Sequence, residues 1–268
     1  MNRSEPDISV VIPTFRRPRD LGQAIESVLR QRDVVAEVLV LDDCPDGSAE
    51  PVIARLADPH VRYLRRDTPS KGRPALVRNA AWPMISAPLV HFLDDDDLVP
   101  VGHYQRARAA FAAHPNIGVV FGRIEPFGDD NELLRREHSY FENAARRARA
   151  CRRYGSMWGF AATMLFKPTL LVCGAALIRR DCLLQLDGFD PGLPLMEDVD
   201  FYARAIRRFG AHFLDEVALY YRIGPSLMRS EGVIPMIHGS YRMMRRRYRR
   251  EWGFTNFCLL NGFARLCL

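Results

Sequence analysis

Short apolar segments alternate with segments of helical periodicity in the first hundred residues, and this alternation constrains the fold more than any other feature. The apolar segments are Ile8–Ile12, Ala36–Leu41, Val61–Leu64 and Pro88–Leu93. Short runs rich in β-branched residues predict buried parallel strands, whereas apolar residues three and four positions apart, as in Asp20–Leu29, predict helices. The alternation predicts an α/β domain with a doubly wound, mostly parallel sheet.

Polar clusters follow three of the predicted strands at their carboxyl ends. These clusters are Thr14–Arg17, Asp42–Asp43 and Asp94–Asp97. The carboxyl ends of parallel strands meet at one edge of a sheet, and ligands bind in the crevice beyond that edge. We therefore expect the three clusters to converge on one ligand site.

The run of four aspartates, Asp94–Asp97, is the strongest chemical signal in the sequence. Two carboxylates about 4 Å apart repel by roughly 1 to 4 kcal/mol, which a bound cation would offset. Mg²⁺ and Mn²⁺ prefer carboxylate oxygens and keep positions open for phosphate oxygens. A D-x-D spacing on an extended segment places both side chains on one side, where they could share an ion. The alternative is an acidic turn that is simply solvated.

The second half of the chain is less regular. Asp129–Arg153 is rich in arginine and predicts an exposed helix or a loop, and Leu170–Ile178 predicts a strand. Acidic residues at the start of Glu197–Phe209 suit a helix amino end because they oppose the helix dipole. His212–Leu214 and Ala218–Tyr221 predict two late strands.

The C-terminal segment from Gly232 is basic and amphipathic. The chain has a net charge of +6. Arginines and large apolar residues are interleaved here: Arg242, Arg245, Arg246, Arg247, Arg249 and Arg250 with Met243, Met244, Tyr248, Trp252 and Phe254. Two interpretations stay open, a helix that packs on the domain with an exposed arginine face and a helix that lies on an anionic membrane. No RNA- or DNA-binding motif is present, so we expect no nucleic-acid partner.

Cysteine usage and apolar runs indicate the compartment. None of the six cysteines forms a C-x-x-C pair, so zinc and iron–sulfur sites are not expected. We expect the cysteines to be reduced thiols in the cytoplasm. Met1–Asp7 has no apolar core, so we expect no signal peptide. Lys167 and Pro168 interrupt the apolar run Met157–Ile178, which predicts two buried segments rather than a membrane span. We therefore expect the protein in the cytoplasm. If the C-terminal segment lies on a membrane, we expect peripheral contact with its inner face.

Four segments in a fixed order carry a resemblance to a known family. Ser9–Arg17 resembles the opening strand and loop of the family 2 glycosyltransferases of GT-A fold, and Val40–Gly47 resembles their VVDDGSxD segment, with Cys44-Pro45 departing from it. Phe92–Asp97 resembles the LDxDD segment, and Gly188–Asp200 resembles GGFDE…EDxD. Pro74–Ala80 also resembles the GPAxARN helix start, and the likeness extends from residue 8 to about residue 225.

The resemblance implies a nucleotide-sugar donor, with a UDP-sugar expected, although the residues do not specify the base. Asp43 would hydrogen-bond that base; the alternative is an aspartate that caps a turn. Arg78 would help to hold the donor; the alternative is a surface arginine. The residues implied in donor binding are Pro13, Thr14, Phe15, Asp43, Arg78, Asn79, Asp94 and Asp95.

The resemblance also implies a metal site and a general base. Asp94 and Asp96 would form the D-x-D pair, with Asp96 the direct ligand of Mn²⁺ or Mg²⁺ and Asp95 an alternative because four aspartates leave the register open. Asp198 would be the general base; the alternative is an acid that only stabilises a helix start. Many relatives have a histidine after the late tyrosine and arginine, where this chain has Gly224, so no third protein ligand is predicted.

The expected activity is inverting transfer of a sugar to a hydroxyl of a glycan, a polysaccharide or a lipid-linked saccharide. Residues 1–231 would form the GT-A domain, with a nucleotide-binding half over 1–100 and an acceptor half over 101–231, and residues 232–268 the basic amphipathic segment. Two alternatives stay open: a non-catalytic module that binds a nucleotide sugar or glycan, and a D-x-D metal-dependent phosphatase or nucleotidyltransferase. A dinucleotide dehydrogenase is not expected because no G-x-G-x-x-G follows the first strand.

Overall fold

The computed structural model describes residues 5–168, 170–224 and 232–266. One sheet contains seven strands, in chain order β1 Ile8–Thr14, β2 Ala36–Asp42, β3 Val61–Arg65, β4 Leu89–Phe92, β5 Val119–Phe127, β6 Ala176–Arg179 and β7 Ala211–Arg222. The α-helices within these ranges are α1 Pro18–Leu29, α2 Glu50–Leu56, α3 Pro74–Asn79, α4 His103–Ala113, α5 Asn131–Cys151, α6 Ala161–Phe166, α7 Arg180–Gln185, α8 Glu197–Phe209 and α9 Val233–Leu266.

The sheet is mostly parallel, as the sequence predicts. Its spatial order is β3-β2-β1-β4-β6-β5-β7. Strands β1 to β4 pair in parallel, β6 pairs antiparallel with both β4 and β5, and β5 pairs parallel with β7. Six strands therefore run in one direction, and their carboxyl ends share one edge of the sheet.

Both faces of the central strands are covered, which explains why their sequences are continuously apolar rather than alternating. All but one of the seven residues of β1 are buried, and so are all four of β4. An aromatic cluster joins β4 to α8, with the ring centroids of Phe189 and Phe201 4.3 Å apart and those of Phe92 and Phe189 4.8 Å apart. This cluster fixes the start of α8 against the end of β4.

Three predicted elements differ in extent from the observed ones. The predicted strand Leu170–Ile178 is wrong in its first part, where Cys173–Ala175 is a 3₁₀ turn. The 3₁₀ turn and the strand that follows it are both buried, so their apolar sequences do not show where one ends and the other begins. The two predicted late strands are one strand, β7, whose pairing with β5 is irregular around Arg123. The helix start that Pro74–Ala80 resembles is the short helix α3, and a 3₁₀ turn over Trp82–Met84 follows it.

The arginine-rich segment after β5 is the helix α5, one of the two predicted alternatives. The carboxylate of Asp130 accepts hydrogen bonds from the amides of Glu132 and Leu133, 3.0 Å each, and so caps its amino end. The apolar run from Met157 forms a π-helical turn and α6, then ends at Lys167-Pro168 before the 3₁₀ turn and β6. In the described ranges, no helix is both long and apolar enough to cross a membrane.

The C-terminal helix α9 packs against α6 and α8, and Gly253, in the left-handed region at φ 82°, kinks it. Met244, Tyr248 and Leu260 are buried in this contact. The guanidinium of Arg207, near the end of α8, lies 4.2 Å from the ring centroid of Trp158 and 4.1 Å from that of Trp252.

Arg247 fastens α9 to the start of α8. It forms ion pairs with Asp190 and with Asp200, the latter at 2.8 Å. The helix therefore packs on the domain, as one of the two interpretations of the tail requires. The predicted boundary at residue 231 lies outside the described residues.

Candidate active site

The three polar clusters converge at the carboxyl edge of the sheet. The Thr14 hydroxyl, at the end of β1, donates to a carboxylate oxygen of Asp95 at 2.7 Å. The Asp43 amide, after β2, donates to the Thr14 carbonyl at 2.9 Å. Residues that end β1, β2 and β4 are thus held together by direct hydrogen bonds, because parallel strands bring their ends to one edge.

The four aspartates after β4 alternate between two environments. The side chains of Asp94 and Asp96 are 38% and 26% exposed, whereas that of Asp95 is 7% exposed. Asp97 is buried and accepts the Arg222 amide at 2.8 Å. The open side of the run therefore carries Asp94 and Asp96, while Asp95 and Asp97 hold the loop to β1 and β7.

Negative charge is concentrated on this run. Burial and the neighbouring Asp94 carboxylate raise the pKa of Asp96 to about 6. Burial, then Asp94 and Asp96, raises the pKa of Asp97 well above its usual value, and its Oδ2 atom has no hydrogen-bond partner. Arg17 offsets part of this charge through Nη1, 2.6 Å from Asp96 and 3.1 Å from Asp95.

These residues fit a divalent cation held by few protein ligands. Among the described residues, no group of three or more His, Cys, Asp or Glu side chains is arranged to hold a metal. Mg²⁺ is commonly bound by one or two carboxylates, with phosphate and water oxygens in the other positions. Asp94 and Asp96 supply that number on the open side, and a bound cation would offset the repulsion from Asp94 that, after burial, raises the pKa of Asp96.

Arg78 links the two acidic motifs. Its Nη2 donates to Asp94 and its Nη1 to Glu197, both at 2.7 Å, and the side chain is 5% exposed. Its guanidinium also lies 5.4 Å from the ring centroid of Phe189. Arg78 is therefore not a surface residue; it joins the loop after β4 to the first turn of α8.

The first turn of α8 carries three carboxylates in different environments. Glu197 pairs with Arg78, and Asp200 pairs with Arg204 and Arg247 at 2.8 Å each. Asp198 is half-buried and accepts only the amide of Val199, at 2.8 Å, among the hydrogen bonds of the described residues. Burial and the Glu197 carboxylate raise the pKa of Asp198 to about 7. Asp198 is thus the carboxylate of this turn that is poised to exchange a proton near neutral pH.

Asp43 organises a loop beside the site. It accepts the amide and hydroxyl of Ser70 at 2.8 and 2.6 Å and the Nε of Arg66 at 3.0 Å. The turn-capping role considered for these aspartates is filled by Asp42, which accepts the amides of Cys44 and Ala49. Ser70 and Arg66 carry no motif that the sequence could have revealed.

The other expected donor-binding residues lie at different depths. Pro13 is half-buried at the end of β1, and the ring of Phe15 is 50% exposed at the rim of the site. The side-chain amide of Asn79 donates to the Phe189 carbonyl at 2.8 Å and accepts the Phe189 amide at 3.0 Å. Asn79 thereby holds the turn at Gly188, whose φ is 65° and where an added Cβ would lie 1.9 Å from Trp82. In this structure the side chain of Asn79 therefore faces the turn at Gly188.

The family model described as Glycosyl transferase family 2 matches residues 9–181. The chain is 26% identical over 221 residues to an uncharacterized protein of Mycobacterium tuberculosis, across 80% of this chain and 66% of that protein. It is 29% identical over 160 residues to the succinoglycan biosynthesis protein ExoO of Rhizobium meliloti, across 50% of this chain and 45% of ExoO. It is 33% identical over 94 residues to the GalNAc(5)-diNAcBac-PP-undecaprenol beta-1,3-glucosyltransferase of Campylobacter jejuni, across 34% and 30% of the two chains. The chain thus spans 66% of the first of these proteins and less than half of the other two.

Solved structures resemble the whole sheet and its helices. TarS 1-349 of S. aureus in complex with UDP-GlcNAc superposes with a TM-score of 0.66 at 18% identity, covering 91% of this chain and 66% of that one. The mannosyltransferase PcManGT of Pyrobaculum calidifontis, in complex with GDP-Man and Mn²⁺, superposes with a TM-score of 0.67 at 16% identity, covering 98% and 70%. At these identities the likeness shows the fold, and it confirms the predicted GT-A architecture.

Proposed function

The chain belongs to glycosyl transferase family 2, and from this membership we propose that it transfers a sugar from a nucleoside-diphosphate sugar to an acceptor hydroxyl with inversion. The observation that carries the proposal is the pair of contacts made by Arg78. They place an open pair of carboxylates, Asp94 and Asp96, beside the helix turn that presents Asp198. Such a pair could bind the cation that accompanies a diphosphate, and Asp198 could accept a proton from the acceptor hydroxyl.

In the proposed mechanism Asp198 acts as general base. As the acceptor oxygen attacks the anomeric carbon, the bond to the diphosphate breaks and Asp198 takes the hydroxyl proton. Glu197 remains paired with Arg78 and keeps the turn in place. Arg17, at the mouth of the site, is positioned to turn from Asp96 towards a diphosphate oxygen, since its side chain is 44% exposed.

We propose Asp96, with Asp94, as the ligands of Mn²⁺ or Mg²⁺. When bound there, the cation would neutralise charge on the departing nucleoside diphosphate. The open side chains and the raised pKa of Asp96 support this assignment, as does the Mn²⁺ in the PcManGT complex.

A UDP-sugar is the proposed donor and a lipid-linked or polymeric saccharide the proposed acceptor. UDP-GlcNAc is bound in the TarS complex, which has the same fold. The Campylobacter jejuni relative is named for transfer to an undecaprenol-linked saccharide. We assign donor base contacts to Pro13, Thr14, Phe15 and Asp43, at the carboxyl ends of β1 and β2.

Nucleotide binding provides the first test. With Mn²⁺ and a UDP-sugar at about 100 times its Kd, the wild-type protein should gain about 2.7 kcal/mol, which raises Tm by about 5–10 °C. Asp96→Ala should lose the metal-dependent part of this increase because the cation loses a ligand. Thermal-shift titrations of UDP, GDP and their sugars, each with and without Mn²⁺, measure both effects.

A matched control is Asp129→Ala, which removes an exposed carboxylate before α5 and should keep the full shift. An unchanged Mn²⁺-dependent shift in Asp96→Ala would contradict the metal assignment. Release of inorganic phosphate or pyrophosphate instead of UDP would identify the alternative phosphatase or nucleotidyltransferase.

The pH dependence tests the base. A general base acts when deprotonated, so kcat should rise with pH through about 7, the raised pKa of Asp198, and then level off. Glu197→Gln removes the second cause of that raised pKa, so the rising limb should move to lower pH. Initial rates of UDP release between pH 5 and pH 9 measure the profile, and an identical profile in both proteins would argue against Asp198.

A further inference from the structure

Helix α9 exposes an unusual share of the large apolar side chains of the protein. Thirteen such side chains are exposed among the described residues, and six of them belong to this one helix. The six are Ile234, Met236, Met243, Phe254, Leu259 and Leu266. Exposed apolar groups gathered on one element mark an interaction surface more often than scattered ones do.

The exposed surface of α9 is also strongly basic. The helix contains seven arginines and a single acidic residue, Glu251. Arg245 and Arg247 are used inside the fold, where they contact the Leu165 carbonyl and the carboxylates of Asp190 and Asp200. The other five, Arg242, Arg246, Arg249, Arg250 and Arg265, are exposed instead. We call these five arginines and the six apolar side chains above the outer face.

The kink at Gly253 separates two parts of the outer face. Four of its five arginines precede the kink, whereas Arg265 and the apolar side chains of Phe254, Leu259 and Leu266 follow it. The guanidinium of Arg249 lies 4.9 Å from the ring centroid of Phe254, so charge and aromatic surface meet at the kink. A helix that lies in a membrane interface has this composition, with cations at the headgroups and apolar side chains at the acyl boundary.

We propose that the outer face of α9 docks on an anionic lipid surface. Arginines alone would fit any polyanion, including a nucleic acid, but the large aliphatic side chains after the kink have no use on a phosphate backbone. The inner face of α9 packs on α6 and contacts Arg207 and Asp200 of α8, so the helix can bind lipid while folded. Docking would hold the protein at a bilayer, where lipid-linked saccharides reside.

Vesicle flotation of the full chain tests this docking. The protein should bind vesicles of equimolar phosphatidylcholine and phosphatidylglycerol, and bind phosphatidylcholine vesicles much more weakly. Each arginine near an anionic surface contributes about a factor of five to the partition coefficient. Replacement of Arg246, Arg249 and Arg250 by glutamine should therefore lower it by about a hundredfold. Phe254→Ser with Leu259→Ser should lower it by at least about tenfold.

The control replaces three exposed arginines elsewhere, Arg32, Arg55 and Arg136, by glutamine and should bind vesicles as the wild type does. An unchanged far-UV circular dichroism spectrum and an unchanged Tm show that each variant is folded. Equal binding to both vesicle types, or an equal loss in the control, overturns the proposal. Capture of polyuridylate without vesicle binding assigns the face to nucleic acid instead. Because no donor is needed, this result is independent of the transfer activity.

Discussion

Replacement of Asp198 by asparagine should reduce the rate of sugar transfer by about a thousandfold, because general-base catalysis contributes about 10²- to 10⁴-fold. Asparagine has the same shape, and its oxygen can still accept the Val199 amide that the carboxylate accepts now. The first turn of α8 should therefore keep its structure. Only the capacity to take a proton from the acceptor is lost.

Three measurements separate this effect from a structural one. The turnover of UDP-sugar with acceptor should fall, the Kd of the donor should stay within about twofold, and the rise of rate with pH through about 7 should disappear. Asp181→Asn offers a matched control, since Asp181 is an exposed carboxylate in the first turn of α7. Full activity in the Asp198 variant would remove this residue from catalysis.

Replacement of Arg78 by methionine should destabilise the protein by about 3 kcal/mol or more, because removal of one partner of a buried ion pair leaves an uncompensated charge. Methionine fills much of the space but leaves Asp94 and Glu197 without their shared cation. A Tm lower by at least about 6 °C is expected for a domain of this size. Activity should fall too, since the loop after β4 and the start of α8 lose their link.

An arginine replacement at an exposed position shows whether this destabilisation comes from the ion pairs. Without Arg78, the two carboxylates lose a shared partner that is nearly completely buried, whereas an exposed arginine has no such role. Arg136→Met, at an exposed position on α5, is the control and should change Tm little. An Arg78 variant as stable and active as the wild type would refute the linking role.

Much of the site could be predicted because it follows from sheet geometry. Three apolar strands are followed by Thr14, Asp42 and the aspartate run, which predicts that the carboxyl ends of these strands lie side by side. Hydrogen bonds in the structure join the residues at these ends. The register of the run could not be predicted. It depends on Thr14 and Arg222, which come from distant strands and draw Asp95 and Asp97 inward.

Long-range side-chain contacts were the other unpredictable part. Arg78 and Glu197 are 119 residues apart in sequence, and no local pattern pairs them. The 3₁₀ turn at Cys173–Ala175 escaped detection for a different reason, since buried irregular backbone and buried strand have the same apolar composition.

The ion pairs of Arg247 constrain how this protein can be recombined with its relatives. One guanidinium from the C-terminal helix meets Asp190 before the acidic turn and Asp200 within it. A chimera that exchanged the C-terminal segment alone would leave both carboxylates facing a foreign side chain, and Asp200 is only two residues from the proposed base. Grafts between homologues should thus move all three partners as one unit, and a truncated chain that ends before α9 would be a poor stand-in for the native enzyme.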